Sequence, residues 1–286
     1  MKTQLSKIIS GTMTWGVWGK NLDEKSMIGL MNCCLENKIT SFDHADIYGG
    51  YTTEASFGIA FANSKIERKQ VQFISKCGIQ TEARNEIKHY DYSKKHVIWS
   101  VENSLRNLKT DYLDILLFHR PSPLMKSDEI AEAIEKLKND GKIIDFGVSN
   151  FTASQSVLIE TKTKIDCNQI QFSLTNFEAM NNGSLDYMQS NKIVPMAWNP
   201  LGSIFKSNDD KINRIKEIAN KLCKKYAVEI DVLCLAWIAK HPAGILPVCG
   251  TTDLKRISNL MKATEIEIDL QDWFGLYVAS LGTKVA

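Results

Sequence analysis

The sequence predicts an α/β protein built as one eight-stranded parallel barrel, the (β/α)8 or TIM-barrel fold, over residues 1–286. Short β-like runs alternate with amphipathic helical stretches along the whole chain, which is the pattern of repeated βα units. Ionisable residues occur where three consecutive strand-like runs end, and α/β barrels keep their chemistry at that rim. No linker rich in Pro or Gly divides the chain, so we expect a single domain.

The strand-like runs are short and apolar, and each is followed by turn residues or by a helical stretch. Eight such runs with short connections favour a closed barrel over an open sheet. The predicted strands are residues 8–13, 40–44, 70–76, 113–118, 143–148, 165–170, 193–198 and 245–249.

The stretches between the strands have apolar residues at helical spacing. In the first of them Met27, Leu30, Met31 and Leu35 share one face, and Gly141 is a suitable C-cap for the fourth. The predicted helices are residues 23–37, 53–63, 93–108, 128–140, 153–161, 210–226, 229–241, 253–263 and 270–281.

Two nucleotide-binding alternatives lack their motifs. A Rossmann fold needs a G-x-G-x-x-G turn after the first strand, and the segment from Gly11 to Gly16 does not fit it. A Walker P-loop is also missing from the sequence.

Composition and the N-terminal sequence indicate a cytoplasmic protein with no nucleic-acid or membrane partner. Lys and Arg number 35 against 33 Asp and Glu, so nothing suggests a nucleic-acid surface. The N-terminus lacks a signal-peptide apolar region, and no apolar run reaches transmembrane length. The seven cysteines are scattered and are expected to be reduced, with no metal site, and a monomer is expected.

Four ionisable residues form the candidate catalytic set. Asp43 and Tyr48 lie in the segment 42–50 that ends the second strand, Lys76 ends the third, and His119 ends the fourth. Taken singly, the tyrosine could be a turn residue, the lysine a solvated cap and the histidine a core residue. Because barrel strands end at one rim, all four should meet there.

The residues 43–51, Lys76 within Ser-Lys-Cys-Gly, and the run 112–121 resemble the aldo-keto reductase family, especially a bacterial subgroup of uncharacterised oxidoreductases. The resemblance covers nearly the whole chain. It implies a TIM barrel that binds NADP(H) and reduces carbonyls with Asp43, Tyr48, Lys76 and His119 as its tetrad.

In that reaction a hydride that reaches a carbonyl carbon leaves an alkoxide. The alkoxide must receive a proton, and a dipole directed at its oxygen stabilises the developing charge. Tyr48 would donate the proton, and Lys76 would lower its pKa below the ordinary value of about 10. Asp43 would hold Lys76, and neutral His119 would orient the carbonyl oxygen. Of the neighbours, His44 is expected to be a packing residue and Asp46 a loop hydrogen-bonder.

The resemblance also implies positions for the cofactor. Ser149, Asn150 and Gln169 would bind the nicotinamide carboxamide, although Asn150 could instead cap the next helix. Trp198 would stack on the nicotinamide where the family commonly has Tyr. The ends of strands one and seven would also contact the cofactor, and the loop after strand seven, through Lys206, would cross the pyrophosphate. These residues are Gly11, Thr12, Met13, Asn199, Pro200, Leu201, Gly202, Ser203 and Lys206.

The segment 247–256 resembles the family's adenosine-phosphate segment. Thr251 and Thr252 suit an anion, and Arg256 would prefer the 2′-phosphate of NADP, unless it is an ordinary solvated charge. Two positions depart from the family: Gly250 replaces a basic residue found in many members, and Asn259 replaces a Glu or Gln that often contacts adenine.

The leading hypothesis is an NADPH-dependent reductase of small carbonyl compounds. Trp15, Trp18 and Tyr51 are expected to wall the substrate pocket, unless the tryptophans pack under the N-terminal loop. One alternative is a dinucleotide-binding regulatory or sensor subunit with little turnover. Another is a barrel lyase or aldolase that uses Lys76 as a Schiff base, which leaves Ser149 and Arg256 without a role.

Overall fold

A computed structural model describes residues 1–286 and confirms the predicted barrel. Eight parallel strands close in the order β1-β10-β9-β8-β7-β6-β3-β2, and a separate two-stranded hairpin, β4-β5, follows β3. The strands are β1 Ile9–Gly11, β2 Ser41–Asp43, β3 Gln72–Cys77, β4 Ile79–Gln80, β5 His89–Tyr90, β6 Leu113–Phe118, β7 Ile143–Ser149, β8 Cys167–Gln171, β9 Val194–Trp198 and β10 Leu246–Cys249.

Eleven helices surround the barrel. None of them combines the length and the apolar character that crossing a bilayer would require. They are α1 Glu24–Glu36, α2 Tyr48–Tyr51, α3 Thr53–Asn63, α4 Lys94–Leu108, α5 Ser127–Asn139, α6 Ala153–Glu160, α7 Ser184–Ser190, α8 Asp210–Tyr226, α9 Ile230–Ala239, α10 Leu254–Leu260 and α11 Leu270–Leu281.

The core has two layers because side chains alternate along each strand. One face of the strands packs against the helices in a cluster of 61 buried residues. The other face fills the barrel with a small aliphatic and sulfur-containing plug, made of Ile9, Ile74, Ile115, Leu117, Cys167, Met196 and Val248. The barrel interior is therefore solid beneath its rim.

Three elements were not predicted from the sequence. Helix α7 is only seven residues long and buries just Leu185 and Met188, which is too short a pattern to recognise. The hairpin β4-β5 has strands of two residues each. Helix α2 contains Gly49 and Gly50 at φ of 62° and 65°. That left-handed conformation favours glycine and turns the chain directly after Tyr48.

The long connections lie at the C-terminal ends of the strands. They follow β1, β3, β6, β8 and β9 and comprise residues 12–23, 78–93, 119–126, 172–183 and 199–209, with the hairpin in the second. The predicted chemistry therefore sits under the longest loops of the molecule.

Two helix glycines give a matched test of the packing between helices. A Cβ on Gly58 in α3 would lie 1.9 Å from the carbonyl oxygen of Asn107 in α4, whereas a Cβ on exposed Gly29 in α1 would meet nothing within 4 Å. We expect Gly58→Ala to lower the free energy of unfolding by about 1–3 kcal/mol through overpacking. Gly29→Ala should raise it by about 0.5–1 kcal/mol. Urea denaturation of both variants measures this, and equal effects would contradict the close approach of α3 and α4.

Candidate active site

The candidate site forms a polar layer directly above the plug of the barrel. Alternation places the next inward side chain two residues after each plug residue. From Ile74, Leu117, Cys167 and Met196 this rule leads to the rim residues Lys76, His119, Gln169 and Trp198. Asp43 ends β2 beside Ile74 and joins the same layer.

Lys76 connects the predicted catalytic residues. Its Nζ donates to both carboxylate oxygens of Asp43 at 2.7 Å, to the His44 carbonyl at 2.7 Å and to the Tyr48 hydroxyl at 3.1 Å. Lys76 and Asp43 are 1% and 2% exposed, so the ammonium and carboxylate are paired away from water. Such charge-assisted bonds are short and strongly directional.

Burial and neighbouring charges shift the pKa values of Lys76 and Tyr48 in opposite directions. Burial lowers the pKa of Lys76, but Asp43 and Tyr48 outweigh it and hold that pKa above its usual value. Burial raises the pKa of Tyr48, and Lys76 opposes this only in part. The expectation that the net pKa of Tyr48 lies below the ordinary value was therefore wrong. The phenol is protonated at neutral pH, as a proton donor must be.

His119 lies beside Tyr48, with the ring centroids 6.0 Å apart and the planes at 79°. Its Nδ1 is buried without a hydrogen-bond partner. Burial, followed by the positive charges of Lys76, Arg120 and Lys88, holds the pKa of His119 well below its ordinary value. The ring is therefore neutral at physiological pH, in agreement with the expectation from the sequence.

A chain of amide and hydroxyl groups extends from Asp43 across the rim. Gln169 donates its amide N–H to Asp43 at 2.9 Å, a contact that sequence reasoning missed. The Ser149 hydroxyl donates to the Gln169 carbonyl at 2.9 Å, and Asn150 donates to Ser149 at 2.8 Å. Trp198 Nε1 donates to Asn150 at 2.8 Å. The structure thus brings these four residues together beside the tetrad.

The alternative role for Asn150 as a helix cap is excluded by the structure. The N-cap of α6 is Thr152, whose hydroxyl accepts from the Gln155 N–H. Asn150 instead has a φ of 60°, which directs its side chain toward Trp198 and Ser149.

The three residues predicted to contact the cofactor at the end of β1 differ in how accessible they are. Thr12 is fully buried, and its hydroxyl bonds to the Asp43 carbonyl and to His44 Nδ1, so this side chain is not accessible to a cofactor. Gly11 is buried next to Gly250, and Met13 is 45% exposed. Only Met13 offers an accessible side chain here.

Two neighbours of the tetrad have the roles expected of them. His44 packs between Phe57 and Phe73, at centroid distances of 4.4 and 5.7 Å. Burial, with smaller effects of Lys76 and Arg68, lowers its pKa to about 3. Asp46 accepts a hydrogen bond from the Ser100 hydroxyl at 3.0 Å.

The loop after β9 is a series of tight turns. Gly202 has a φ of 53°, and a Cβ there would lie 1.9 Å from Thr175 Oγ1. Its N–H donates to Asn199, the Ser203 N–H donates to Thr175, and the Lys206 side chain is exposed. The remaining predicted residues of this loop, Pro200 and Leu201, are buried and half-buried.

The predicted adenosine-phosphate segment surrounds the start of α10. Asp253 caps this helix and accepts from the Arg256 backbone N–H at 3.0 Å, so a carboxylate already takes one of the amide donors expected for an anion. The Arg256 side chain is exposed and unpaired. Thr251 and Thr252 are half-buried, and exposed Gly250 accepts from Thr14, a contact not foreseen. Asn259 lines a cavity of about 340 Å³.

The predicted aromatic wall is only partly formed. Trp15 is fully buried against Phe42 and Phe57, so its assignment to the substrate pocket was wrong and it packs under the N-terminal loop. Trp18 is 50% exposed, with its ring 6.2 Å from that of Tyr48.

Tyr51 differs from its predicted place. Its hydroxyl accepts from the Thr81 N–H, and Arg84 lies 3.6 Å from its ring centroid. The ring lines a cleft of about 470 Å³ that is bounded by Asp46, Glu54 and residues of α4 and contains no member of the tetrad.

Comparisons with known proteins agree with the fold. A sequence profile of the "Aldo/keto reductase family" matches residues 7–275. The chain is 40% identical to the "Uncharacterized oxidoreductase YcsN" of Bacillus subtilis (strain 168), covering 99% of this chain and 96% of that protein. It is 36% identical to a "6-dehydroglucose reductase" of Agrobacterium fabrum, covering 100% and 97%. An aldo-keto reductase from Klebsiella pneumoniae, solved in complex with NADPH, superposes with a TM-score of 0.79 at 23% identity, covering 95% and 90%.

The coupling of Lys76 to Tyr48 can be measured in the free protein. Lys76→Met removes the cation that opposes burial, so we expect the pKa of Tyr48 to rise further. Ultraviolet titration of tyrosinate, with the Tyr48→Phe signal subtracted, reports on this phenol alone. Lys142→Met, which removes a partly exposed partner of Glu102, is the control and should leave the titration unchanged. An unshifted midpoint in Lys76→Met would make Lys76 a purely structural lysine.

Proposed function

The chain belongs to the aldo/keto reductase family, and from this premise we propose that it reduces aldehyde or ketone carbonyls to alcohols with NADPH. The observation that supports this most directly is the Lys76 ammonium, which is bonded to both the Asp43 carboxylate and the Tyr48 hydroxyl. A protonated phenol beside a buried cation can give up its proton and is left as a stabilised phenolate.

The residues at the rim fit a nicotinamide. The Gln169 amide oxygen makes no hydrogen bond within the protein, and Trp198 is half-buried with its Nε1 held by Asn150. An amide oxygen and a neighbouring carboxamide suit a carboxamide ligand, which both donates and accepts. A reduced nicotinamide bound there supplies a hydride.

The protein residues then carry the proton side of the reaction. As the carbonyl carbon gains the hydride, the π electrons move to oxygen, and that oxygen takes the Tyr48 proton. Lys76 stabilises the resulting phenolate, Asp43 keeps Lys76 charged and oriented, and the phenolate is reprotonated from solvent. Neutral His119 orients the carbonyl oxygen next to Tyr48.

Preference for NADPH rests on Arg256. Its guanidinium is free, exposed and close to Thr251 and Thr252 in sequence, which suits the 2′-phosphate. The Klebsiella structure with NADPH supports the same cofactor class for a protein of this fold.

The relatives suggest the first substrates to try. Two similar proteins are named 6-dehydroglucose reductase, so a hexose aldehyde belongs in the initial panel beside simple aldehydes and ketones. A regulatory or sensor subunit would bind NADPH with little turnover on any of them, and the connected tetrad favours turnover.

Tyr48→Phe tests the proton donor. We expect carbonyl reduction to fall by about 10²–10⁴-fold, the usual contribution of general-acid catalysis, while NADPH still quenches tryptophan fluorescence. Tyr187→Phe, which removes a phenol bonded to Glu160 away from the rim, is the matched control and should keep wild-type kcat. Wild-type kcat in Tyr48→Phe would mean that the proton comes from another group.

Arg256→Ala tests the cofactor preference. We expect the KM for NADPH to rise by about 10-fold or more and that for NADH to change little, because only NADPH has the 2′-phosphate. Arg106→Ala, an exposed arginine on α4, should alter neither value. Equal changes for both cofactors would remove Arg256 from the phosphate site.

A further inference from the structure

Arg120 is an arginine at the active-site rim for which the proposed mechanism has no use. It follows His119 directly after β6, and its backbone is fixed by Tyr92, whose hydroxyl accepts from the Arg120 N–H at 3.1 Å and donates to the Arg120 carbonyl. Tyr92 in turn stacks on Phe118 with centroids 4.2 Å apart. The Arg120 side chain therefore extends from a segment whose backbone is held in place by Tyr92.

Its guanidinium has no polar partner in the protein. The group lies 5.3 Å from the centroid of the Trp198 ring, and it forms neither a salt bridge nor a side-chain hydrogen bond. Arg120 is half-buried as a residue. A planar guanidinium with all its donors free is suited to a carboxylate or phosphate bound through two oxygens.

The charges that act on His119, the residue before Arg120, are positive. The groups that act on His119 are Lys76, Arg120 and Lys88, and no carboxylate is among them. The carboxylate that affects the pKa of Tyr48 is that of Asp43, and both of its oxygens are bonded to Lys76. The loops that carry the predicted cofactor-phosphate residues follow β9 and β10, whereas Arg120 follows β6. The unpaired cation therefore lies away from the segment predicted for the adenosine phosphate and beside Trp198, where a carbonyl substrate would meet the proposed nicotinamide.

We propose that Arg120 binds an anionic group on the substrate, so that the enzyme prefers carbonyl compounds carrying a carboxylate or phosphate over neutral compounds of the same shape. This inference rests on the proposed carbonyl reduction. Arg120 acts as a specificity residue, since the proton and hydride go to the carbonyl while the anion is held beside it.

Paired substrates test the proposal. The carboxylate arm compares 4-carboxybenzaldehyde with 4-formylbenzamide, and the phosphate arm compares glyceraldehyde 3-phosphate with glyceraldehyde, each with NADPH. We expect kcat/KM to favour the charged member by about 10-fold or more in at least one arm, as for other charge-assisted bidentate contacts. Comparing the two arms identifies which anion is preferred.

Variants assign the preference to one side chain. Arg120→Gln should bring the charged-to-neutral ratio close to one, and Arg120→Lys should keep part of it because the charge remains without the planar fork. Arg106→Gln on exposed α4 should leave the ratio as in the wild type. Any effect of Arg120 on Tyr48 changes kcat/KM for the charged and the neutral substrate alike, so it cancels in the ratio of the two within one variant.

The outcomes separate this inference from the proposed function. A ratio near one in both arms of the wild type, a ratio that survives Arg120→Gln, or an effect of Arg120→Gln on NADPH affinity alone would overturn it while carbonyl reduction stands. If Arg120→Gln does not fold, the wild-type ratios and Arg120→Lys still decide. Absence of turnover on every carbonyl would overturn the proposed function and this inference together.

Discussion

The candidate site depends on one buried ammonium. Lys76 has almost no contact with solvent, and its charge is accommodated because Asp43 offers two oxygens and the His44 carbonyl a third. Removing two charges from water is costly, so a buried pair persists only where its geometry is good and its remaining bonds are satisfied. This requirement joins β2 to β3 at the rim and fixes the place of Tyr48.

Asp43 extends the same constraint to the opposite side of the barrel. Its bond from Gln169 connects the ion pair to β8, and Ser149, Asn150 and Trp198 continue the connection to β7 and β9. The proposed proton-donating half and the predicted nicotinamide half are thus one hydrogen-bonded network. Residues in such networks have non-additive effects, so substitutions in the two halves should be coupled.

Sequence periodicity was sufficient to predict the barrel and the positions of most residues at its rim. Strand 113–118 and helices 53–63, 210–226 and 270–281 were predicted with the bounds that the structure has. The ends of the predicted strands also located Asp43, Lys76 and His119, because strand ends meet at a rim. Trp15, Tyr51 and the bond from Gln169 to Asp43 could not be predicted, since each depends on how a loop folds or on a contact between distant strands.

The solid plug beneath the rim has a consequence for how such a protein can change over generations. Met13, Trp18, Arg120 and Lys206 come from three of the long connections, and none belongs to the plug. Substitutions at these four side chains change the surface near the tetrad without changing the plug. Substrate range can therefore diverge among descendants of one gene while the chemistry and the folding core are inherited intact.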